Sequence, residues 1–431
     1  MKKYIEPTVL KGTRDLLPED MVWRNKTMLT IIKAFKQFGY QQIETPILSK
    51  AETILGKTGG QSDEKLAYTF EDYGGREVAL PFDLTMPFAR FVAANNQNLP
   101  MPFKRFQAQP VWRAERPQRG RLREFYQCDA DIIGSNEIVC EAEITKLIYS
   151  VFERLQLDKI VIRVNSRKLL NEILKSYGVS EGQTTQAIRL IDKLEKIGEE
   201  KVAAELEKIG IKKARDILKL LKPASNNKAT LDKLEEFNTA ELEEYLEKCK
   251  LLKVPDGLIK FDPSLARGLD YYTGMTFEVV YPDSNLGTIC AGGRYDNLAG
   301  LFSKDEFSGV GVSFGFERIM ILLEELGLTK GGISGVSSLV TVFDKDSLND
   351  SIEIYNTLLS ERLSSELYLG SGNLSKQFKF ADKKKIPFVI VRGPDEREKD
   401  EILIRRMSNG VEKRLPASQL VSYIKGFYEA V

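Results

Sequence analysis

The sequence predicts a large α+β domain with an antiparallel sheet flanked by helices, interrupted by a helical insertion and followed by a separate α/β domain. Three observations support this fold class. Strand patterns occur over 103–134 and return over 258–291 and 309–315. Between them, 169–255 has a helical period and is rich in Lys and Glu. The last part, 337–431, alternates strand and helix patterns, which is typical of a compact α/β unit.

A chain of 431 residues is long for one hydrophobic core, so several domains are expected. We expect the α+β domain to occupy 1–168 and 256–328, with the helical insertion at 169–255 between its two parts. A linker rich in Gly and Ser is predicted at 329–336. The α/β domain is expected at 337–431.

The elements of the first part follow in chain order. A helix is predicted from Pro18 to Gly39, because proline and acidic residues suit a first turn and glycine ends a helix. A strand broken by Pro46 comes next. The remaining elements are a hairpin at 67–82, a helix from Leu84, two strands around the arginine-rich loop in 103–134, a helix at about 137–155 and the strand "KIVIRVN".

The later elements are predicted in the same way. In the insertion, an apolar stripe indicates an amphipathic helix whose charges form a solvated face; it consists of Ile188, Ile191, Leu194 and Ile197. The strands of 258–291 and 309–315 precede a helix at 316–326. In the last domain, "SNG" at 408–410 predicts a hairpin turn.

Composition excludes several classes of protein. Hydrophobic residues make up 42% and charged residues 29%, as in ordinary globular proteins. We find no run of 18 apolar residues and no signal-peptide pattern, so we expect no membrane association. The four scattered cysteines fit a reducing cytoplasm rather than a disulfide framework. A net charge of +1 neither favours nor opposes a nucleic-acid partner.

The chain contains no histidine. Its chemistry therefore lacks the commonest general base and the commonest metal ligand, and we expect no metal held by protein side chains. Arginines, carboxylates, phenols and hydroxyls must serve instead. The absence of histidine has three open explanations: selection during histidine shortage, drift and design.

The stretch 111–134 combines arginines, acids and an aromatic ring. Strand alternation places Arg113 and Glu115 on one face. The returning strand repeats this arrangement with Arg121, Arg123, Phe125 and Gln127. Such a face suits a nucleotide, because guanidinium groups bind phosphate and rings stack on bases. Spacing alone supports a surface strand pair with alternating charges equally well.

Several segments resemble the motifs of one family. The stretch 111–134 resembles motif 2 of class II aminoacyl-tRNA synthetases, in the form found in the histidyl branch. "FKQFGYQQIETPIL" (35–48) resembles motif 1, and "GVGVSFGFERI" (309–319) resembles motif 3. "LARGLDYYTG" (265–274) and "AGGRYDNL" (291–298) are similar to two segments special to histidyl-tRNA synthetases. The resemblance covers nearly the whole chain and implies a class II synthetase fold with a C-terminal anticodon-binding domain.

The resemblance implies an ATP site. Arg113 would hold the α-phosphate and Arg318 the γ-phosphate. Phe125 would stack on adenine and Glu115 would bind its amino group, with Arg121 completing the set. Mg²⁺ would accompany ATP.

The resemblance also implies a histidine site. The α-amino group would be bound by Asp83, Thr85 and Gln127. Asp131 and Tyr272 would bind the two imidazole nitrogens beside Tyr271, although one of the two neighbouring tyrosines could belong to the core. Two opposed polar groups suit a ring with two nitrogens. Arg267 would contact the histidine carboxylate and the α-phosphate, which makes Arg267 and Arg113 the expected catalytic residues.

The implied activity is that of a histidine–tRNA ligase, which forms histidyl-adenylate from histidine and ATP and passes histidine to the 3′ end of its tRNA. Candidate tRNA contacts are Arg116, Gln118, Arg119 and Arg123. A homodimer through motif 1 and a cytoplasmic location are expected. Two alternatives are an inactive, histidine-sensing regulatory subunit of ATP phosphoribosyltransferase and another class II synthetase.

Two local features carry further expectations. The family usually has arginine two residues before the acid at Asp83, whereas this chain has Pro81. Gly292 and Gly293 are expected to form a tight turn. We also expect Arg294 to pair inside the protein and Tyr295 to line the pocket.

Overall fold

The structure is a computed structural model that describes residues 4–56, 66–267, 271–296, 299–304, 307–329 and 334–429. The chain divides into two compact units. The first unit contains residues 1–15 and 27–328, and the second contains residues 16–26 and 329–431. None of the helices in the described ranges is long and apolar enough to cross a membrane.

The helices and strands up to residue 166 include four of the eight strands of one large sheet, helices that cover it, and the three strands of a separate small sheet. They are α1 (Pro18–Gln37), β1 (Gln41–Gln42), β2 (Ser49–Lys50), α2 (Ala51–Leu55), β3 (Tyr68–Glu71), β4 (Glu77–Leu80), α3 (Thr85–Asn95), β5 (Phe103–Trp112), β6 (Glu124–Ile133), α4 (Val139–Arg154) and β7 (Val161–Ser166).

A run of helices follows and the sheet then resumes. The helices are α5 (Arg167–Ser176), α6 (Glu181–Ile191), α7 (Leu194–Ile197), α8 (Glu199–Lys208), α9 (Ala214–Leu221), α10 (Asn227–Asp232) and α11 (Ala240–Leu251). The sheet resumes with β8 (Ile259–Phe261), β9 (Met275–Val280), β10 (Cys290–Tyr295) and β11 (Gly309–Gly315), and α12 (Phe316–Glu325) comes next.

The main sheet has eight strands in the order β1-β5-β6-β11-β10-β9-β7-β8. Its strands pair antiparallel, except that β1 lies parallel to β5 and β7 parallel to β8. Helices cover one face: Phe35 of α1 lies 5.4 Å from Phe106 of β5, and Phe152 of α4 lies 5.7 Å from Phe314 of β11. The predicted antiparallel sheet with flanking helices is therefore confirmed.

The helical run packs on its own apolar residues. Ile188 and Ile191, half of the predicted stripe, are almost fully buried. Leu194 and Ile197 are partly buried against the same core. The helical period of the sequence thus reports a packed face, with the Lys and Glu residues on the outside.

The second unit has a five-stranded sheet of its own, in the order β13-β12-β14-β15-β16. Its elements are β12 (Ser338–Val340), α13 (Leu348–Ser360), β13 (Ser365–Leu367), α14 (Leu374–Lys383), β14 (Phe388–Val391), α15 (Pro394–Glu398), β15 (Glu401–Arg406), β16 (Glu412–Pro416) and α16 (Leu420–Glu429). Phe388 packs edge-on against Phe427 at 5.0 Å. The turn expected at "SNG" joins β15 to β16, and Gly410 there has a φ of 70°. The expected α/β domain is confirmed.

Two predictions of strands need correction. In 40–48, predicted as a strand broken by Pro46, the strand before the proline is limited to Gln41–Gln42, and the chain rejoins a sheet only at Ser49–Lys50. The strand patterns in 258–291 do not run through the segment 262–267, which is irregular, and β9 begins only at Met275. This irregular segment contains Arg267, and residues 268–270 lie outside the described ranges.

Candidate active site

The first unit contains a cavity of about 480 Å³ above the main sheet. Twelve residues that the family resemblance assigned to ATP or histidine all line it: Asp83, Thr85, Arg113, Glu115, Arg121, Phe125, Gln127, Asp131, Arg267, Tyr271, Tyr272 and Arg318. Strand β6 supplies three of them, because its alternate residues face the cavity. The fold therefore gathers residues that are up to 235 positions apart in the sequence.

One end of the cavity is rich in arginine. The Nε of Arg318 donates a hydrogen bond to the carbonyl oxygen of Gly120 at 3.1 Å, and its Nη1 donates to the carbonyl of Thr288. Burial lowers the pKa of Arg318, and the neighbouring charges of Arg121, Arg113 and Arg267 lower it further. Mutually repelling guanidinium groups held in one place suit a polyanionic ligand.

Arg113 is held against an aromatic ring. Its Nε donates to the carbonyl oxygen of Phe82 at 3.0 Å. Its guanidinium carbon lies 5.0 Å from the ring centre of Phe125, a cation–π contact. Glu115 lies 3.9 Å from Arg121, and both side chains are about half exposed. An aromatic face, an acid and two cations therefore meet at the mouth of the cavity.

Arg267 lies between the two ends of the cavity and is anchored by an acid. Its Nη1 is 3.5 Å from Oε1 of Glu278, whose Oε2 lies 3.2 Å from Nη1 of Arg163. Burial pulls the pKa of Arg267 down, but the charges of Tyr272, Glu278, Asp192 and Tyr271 raise it overall. Its Nε has no hydrogen-bond partner among the described residues. Arg267 is thus a cation held in place by Glu278, and its Nε is available to donate a hydrogen bond to a ligand.

The other end of the cavity is acidic and aromatic. Asp131 is 4% exposed; it forms an ion pair with Arg105 at 2.7 Å and accepts a hydrogen bond from the Tyr295 hydroxyl. Burial raises the pKa of Asp131, while Arg105 and Tyr295 act to lower it. Arg105 is fully buried and stacks on Phe88 at 4.0 Å. The role of Arg105 was not foreseen, because its partner lies 26 residues away.

Asp83 is supported by the helix that follows it. Its Oδ1 accepts a hydrogen bond from the amide of Met86 at 3.2 Å, at the start of α3. A free backbone amide in the first turn of a helix is a natural partner for a carboxylate. The arginine that Pro81 replaces is therefore not needed to fix this oxygen. Thr85, the first residue of α3, is half-buried beside it.

Tyr271 and Tyr272 form an aromatic cluster with Tyr295. The rings of Tyr271 and Tyr272 are 4.8 Å apart, and Tyr271 meets Tyr295 edge-on at 6.3 Å. Tyr272 is 8% exposed, whereas Tyr271 is half-buried. Both rings line the cavity.

The expectation that Gly292 and Gly293 form a tight turn is wrong, because both lie within strand β10. A Cβ on Gly293 would come 2.8 Å from Cδ1 of Tyr272. A Cβ on Gly292 would come 2.0 Å from the carbonyl oxygen of Gly311 in the next strand. Glycine inside a strand often marks such a close approach, and here it makes room for the pocket.

The two neighbouring expectations are confirmed. Nη2 of Arg294 donates to Oε2 of Glu141 at 2.8 Å, and both side chains are buried. Nη1 of Arg294 also donates to Ser308, which in turn donates to Asp296 at 2.7 Å. Tyr295 lines the cavity. Arg294 therefore joins β10 to α4 from inside the protein.

The four candidate tRNA contacts lie apart from the cavity lining. Arg119 pairs with Glu325, and Arg123 donates to the carbonyl oxygen of Lys11 at 3.2 Å. Arg116 and Gln118 are exposed in the loop between β5 and β6. Within the described ranges, we find no group of three or more acidic or thiol side chains that could hold a metal ion.

The cavity lining also includes residues that the sequence did not indicate, among them Asp129, Asp192 and Ser313. Strand alternation could have revealed Asp129, because it lies on the same face of β6 as Gln127 and Asp131. Asp192 comes from the end of α6, in the helical run, and no local pattern indicates that it reaches the cavity.

The sheet, its covering helices and a cavity that joins an arginine end to an acidic end are those of a class II aminoacyl-tRNA synthetase. A family model described as histidyl-tRNA synthetase matches residues 12–319, and one described as anticodon binding domain matches 337–427. This chain belongs to the histidyl-tRNA synthetase family.

Individual relatives are similar over nearly the whole chain. The histidine–tRNA ligase of Clostridium tetani is 36% identical over an alignment of 441 residues, which covers 98% of this chain and 99% of that protein. The crystal structure of histidyl-tRNA synthetase from Nostoc sp. PCC 7120 superposes with a TM-score of 0.87 at 30% identity, covering 98% of this chain and 99% of that one. An ATP phosphoribosyltransferase regulatory subunit/histidyl-tRNA synthetase from Bacillus halodurans C shares the fold, with a TM-score of 0.75 at 19% identity over 88% of this chain and 97% of that one.

Proposed function

We propose that this chain is an active histidine–tRNA ligase, which forms histidyl-adenylate from histidine and ATP and then transfers histidine to the 3′ end of tRNA. The observation that supports this most is one cavity in which Arg113, Arg121 and Arg318 line one end, and acids and tyrosines line the other. Such a cavity suits a polyanion beside a small polar amino acid. Arg267 lies where the two would meet.

The arginine end is assigned to ATP. Arg113 holds the α-phosphate and Arg318 the γ-phosphate, with Arg121 beside them. Phe125 stacks on adenine, and Glu115 accepts from its amino group. Mg²⁺ would accompany ATP at this end and would offset part of the charge on its phosphates.

The acidic end is assigned to histidine. Asp131 and Tyr272 bind the two imidazole nitrogens. Asp131 is already oriented by Arg105 and Tyr295, so it meets the ring as a fixed acceptor. A pocket whose own polar groups need both nitrogens rejects amino acids of similar shape, which would leave those groups unpaired. The α-amino group is bound by Asp83, Thr85 and Gln127.

The first reaction step needs charge stabilisation rather than a general base. The histidine carboxylate attacks the α-phosphorus, the bond to pyrophosphate breaks, and negative charge grows on the phosphoryl oxygens. The spare Nε of Arg267 and the guanidinium of Arg113 stabilise that charge. The carboxylate is already deprotonated at neutral pH, so a chain without histidine is chemically adequate.

The tRNA and assembly roles belong to the same proposal. Residues 337–431 form an anticodon-binding domain, supported by the family model that matches there. Residues 169–255 form an insertion between the two parts of a catalytic domain, 1–168 and 256–328. The exposed Arg116 and Gln118 contact tRNA, together with Arg119 and Arg123.

We further propose that two copies of the chain pair through the motif 1 segment, in the cytoplasm. The exposed apolar side chains of Ile47 and Leu48 in that segment support the pairing. Light scattering of the purified protein measures the mass. A monomer at micromolar concentration would contradict the proposed dimer.

The test of the activity is ATP–pyrophosphate exchange with each of the twenty amino acids. We expect exchange with histidine alone, followed by charging of histidine tRNA. An inactive regulatory relative would bind histidine without exchange. The presence of Arg113, Arg267 and Arg318 in one cavity favours the enzyme over that alternative.

A further inference from the structure

Asp129 is an additional acidic side chain in the cavity, placed between two residues assigned to histidine. It lies on β6 between Gln127 and Asp131, and all three line the cavity. Across the sheet it stands opposite Ser313 of β11 and Gln107 of β5. Residues two apart on a strand are separated by about 7 Å. A ligand that reaches from Gln127 to Asp131 therefore passes over Asp129.

Asp129 carries a buried oxygen that can still accept a hydrogen bond. The residue is 3% exposed, and its Oδ1 has no hydrogen-bond partner among the described residues. Buried polar atoms are nearly always paired in folded proteins. An unpaired carboxylate oxygen on the wall of a cavity therefore indicates a donor on the ligand.

The neighbouring acids are already engaged. Asp131 is bound by Arg105 and Tyr295. Asp83 accepts the amide of Met86. Compared with Asp131 and Asp83, Asp129 is therefore the acid whose Oδ1 is most available to accept a hydrogen bond from a ligand.

Histidine offers two kinds of donor, the α-ammonium group and an imidazole N–H. The imidazole is assigned to Asp131 and Tyr272. The α-ammonium is assigned near Gln127, whose Nε2 donates to Ser313 at 2.6 Å, which leaves only its uncharged Oε1 for the ligand. That Oε1 also has no partner among the described residues. A cation bound at this point lacks a charged partner on β6 unless Asp129 supplies it.

We propose that Asp129 accepts a hydrogen bond from the α-ammonium group of histidine, an assignment that rests on the proposed function and adds a charged partner to its amino-acid site. The contact joins a carboxylate to a cation inside a buried pocket. Charge-assisted hydrogen bonds of this kind are about twice as strong as neutral ones.

The electrostatic surroundings of Asp129 agree with this role. The pKa of Asp129 is raised to about 7, mainly by burial. The charges of Asp131 and Asp83 also raise this pKa, whereas Arg105 and a hydrogen bond from Ser313 lower it. Tyr272 and Cys290 face it as well. Without a ligand the carboxyl is about half protonated at pH 7. A bound ammonium group favours the ionised form, so histidine binding releases about half a proton at pH 7, and the affinity rises as pH approaches 7 and levels off above it.

Two ligands and one substitution separate this contact from other roles. Histidine carries the ammonium group, whereas imidazolepropionate has the same ring and carboxylate without it. Calorimetric titration of the full chain measures both affinities for the wild type and for Asp129→Asn. We expect Asp129→Asn to weaken histidine binding by about 10- to 100-fold, the loss typical of a hydrogen bond to a charged group. Its affinity for imidazolepropionate should stay unchanged.

The other outcomes each have one meaning. Equal weakening of both ligands would place Asp129 on the imidazole ring, and no weakening of either would remove it from the site; each result overturns the proposal. If the wild type failed to bind histidine at all, the proposed function itself would fail, and this contact with it. Asp192→Asn is the matched control, because Asp192 lines the same cavity near Arg267, and it should preserve the wild-type preference for histidine over imidazolepropionate.

Discussion

Asp129 should lower the stability of the ligand-free protein in a way that depends on pH. Its pKa is raised from 3.8 to about 7 by burial. A carboxyl with a raised pKa in the folded state binds more protons there than in the unfolded chain, so stability falls as pH rises from about 4 to about 7 and is constant above. Each unit of pKa corresponds to about 1.4 kcal/mol, so the limiting destabilisation is about 4 kcal/mol.

The substitution Asp129→Asn removes this dependence while keeping the shape of the neutral acid. The gain in unfolding free energy over wild type should grow by about 2 kcal/mol between pH 5.5 and pH 8, the part of the titration that lies in this window. Urea unfolding can follow the first unit through Trp112 on β5, one of two tryptophans in the chain. A Trp23→Phe background leaves Trp112 as the sole tryptophan signal.

Two further measurements make the result decisive. Asp72→Asn is the control, because the Arg76 side chain lowers the pKa of Asp72 and its titration falls below this window. Its difference from wild type should therefore be constant from pH 5.5 to pH 8. If the Asp129→Asn difference were also constant, the carboxyl would titrate normally and the reasoning would be refuted. Saturating histidine should shrink the difference, since the ammonium group stabilises the ionised acid.

Other predictions concern the reaction and the architecture. Arg267→Ala should lower histidine-dependent ATP–pyrophosphate exchange by about 100-fold or more with an unchanged circular dichroism spectrum; near-normal exchange would contradict its role at the α-phosphate. Gly311→Ala places a Cβ 1.9 Å from Oδ1 of Asp131, so the KM for histidine should rise while the KM for ATP stays constant. Equal rises would indicate general damage to the sheet. Deleting 337–431 should reduce tRNA charging more than exchange, whereas equal losses would make that segment a structural support.

Local signals predicted much of the fold, and distant pairing explains most of what they missed. The helix ending at Gly39 and the hairpin at "SNG" follow from residues that are neighbours in sequence. The main sheet depends on β6 pairing with β11, whose partners Asp131 and Gly311 are 180 residues apart. No turn residue or apolar period reports such a pairing.

In the site too, the sequence predicted which residues take part but not the distant pairings that position them. Family motifs identified twelve of the residues that line the cavity, but they did not show what holds those residues in place. Arg105 could not be predicted as the partner of Asp131, because the pairing depends on the register of the β5–β6 hairpin across an eleven-residue loop. The sequence predicts a turn at Gly293, because it does not show which side chains lie near this glycine. In the structure, the ring of Tyr272 occupies the space that a Cβ on Gly293 would need.

Without ligands, the cavity holds like charges close together at both ends. One end has an excess of positive charge and the other an excess of negative charge. Arg318 has its pKa lowered by burial and by three neighbouring arginines, so it needs an anion. Asp129 has its pKa raised by burial and by two neighbouring acids, so it needs a cation. In the proposed complex, ATP would supply the first charge and the α-ammonium of histidine the second. Free energy that the empty protein loses at both ends is recovered only when both ligands are bound. Such an arrangement would favour the complex with both ligands over the empty enzyme, and under the proposed function Arg267 lies where the two ligands meet.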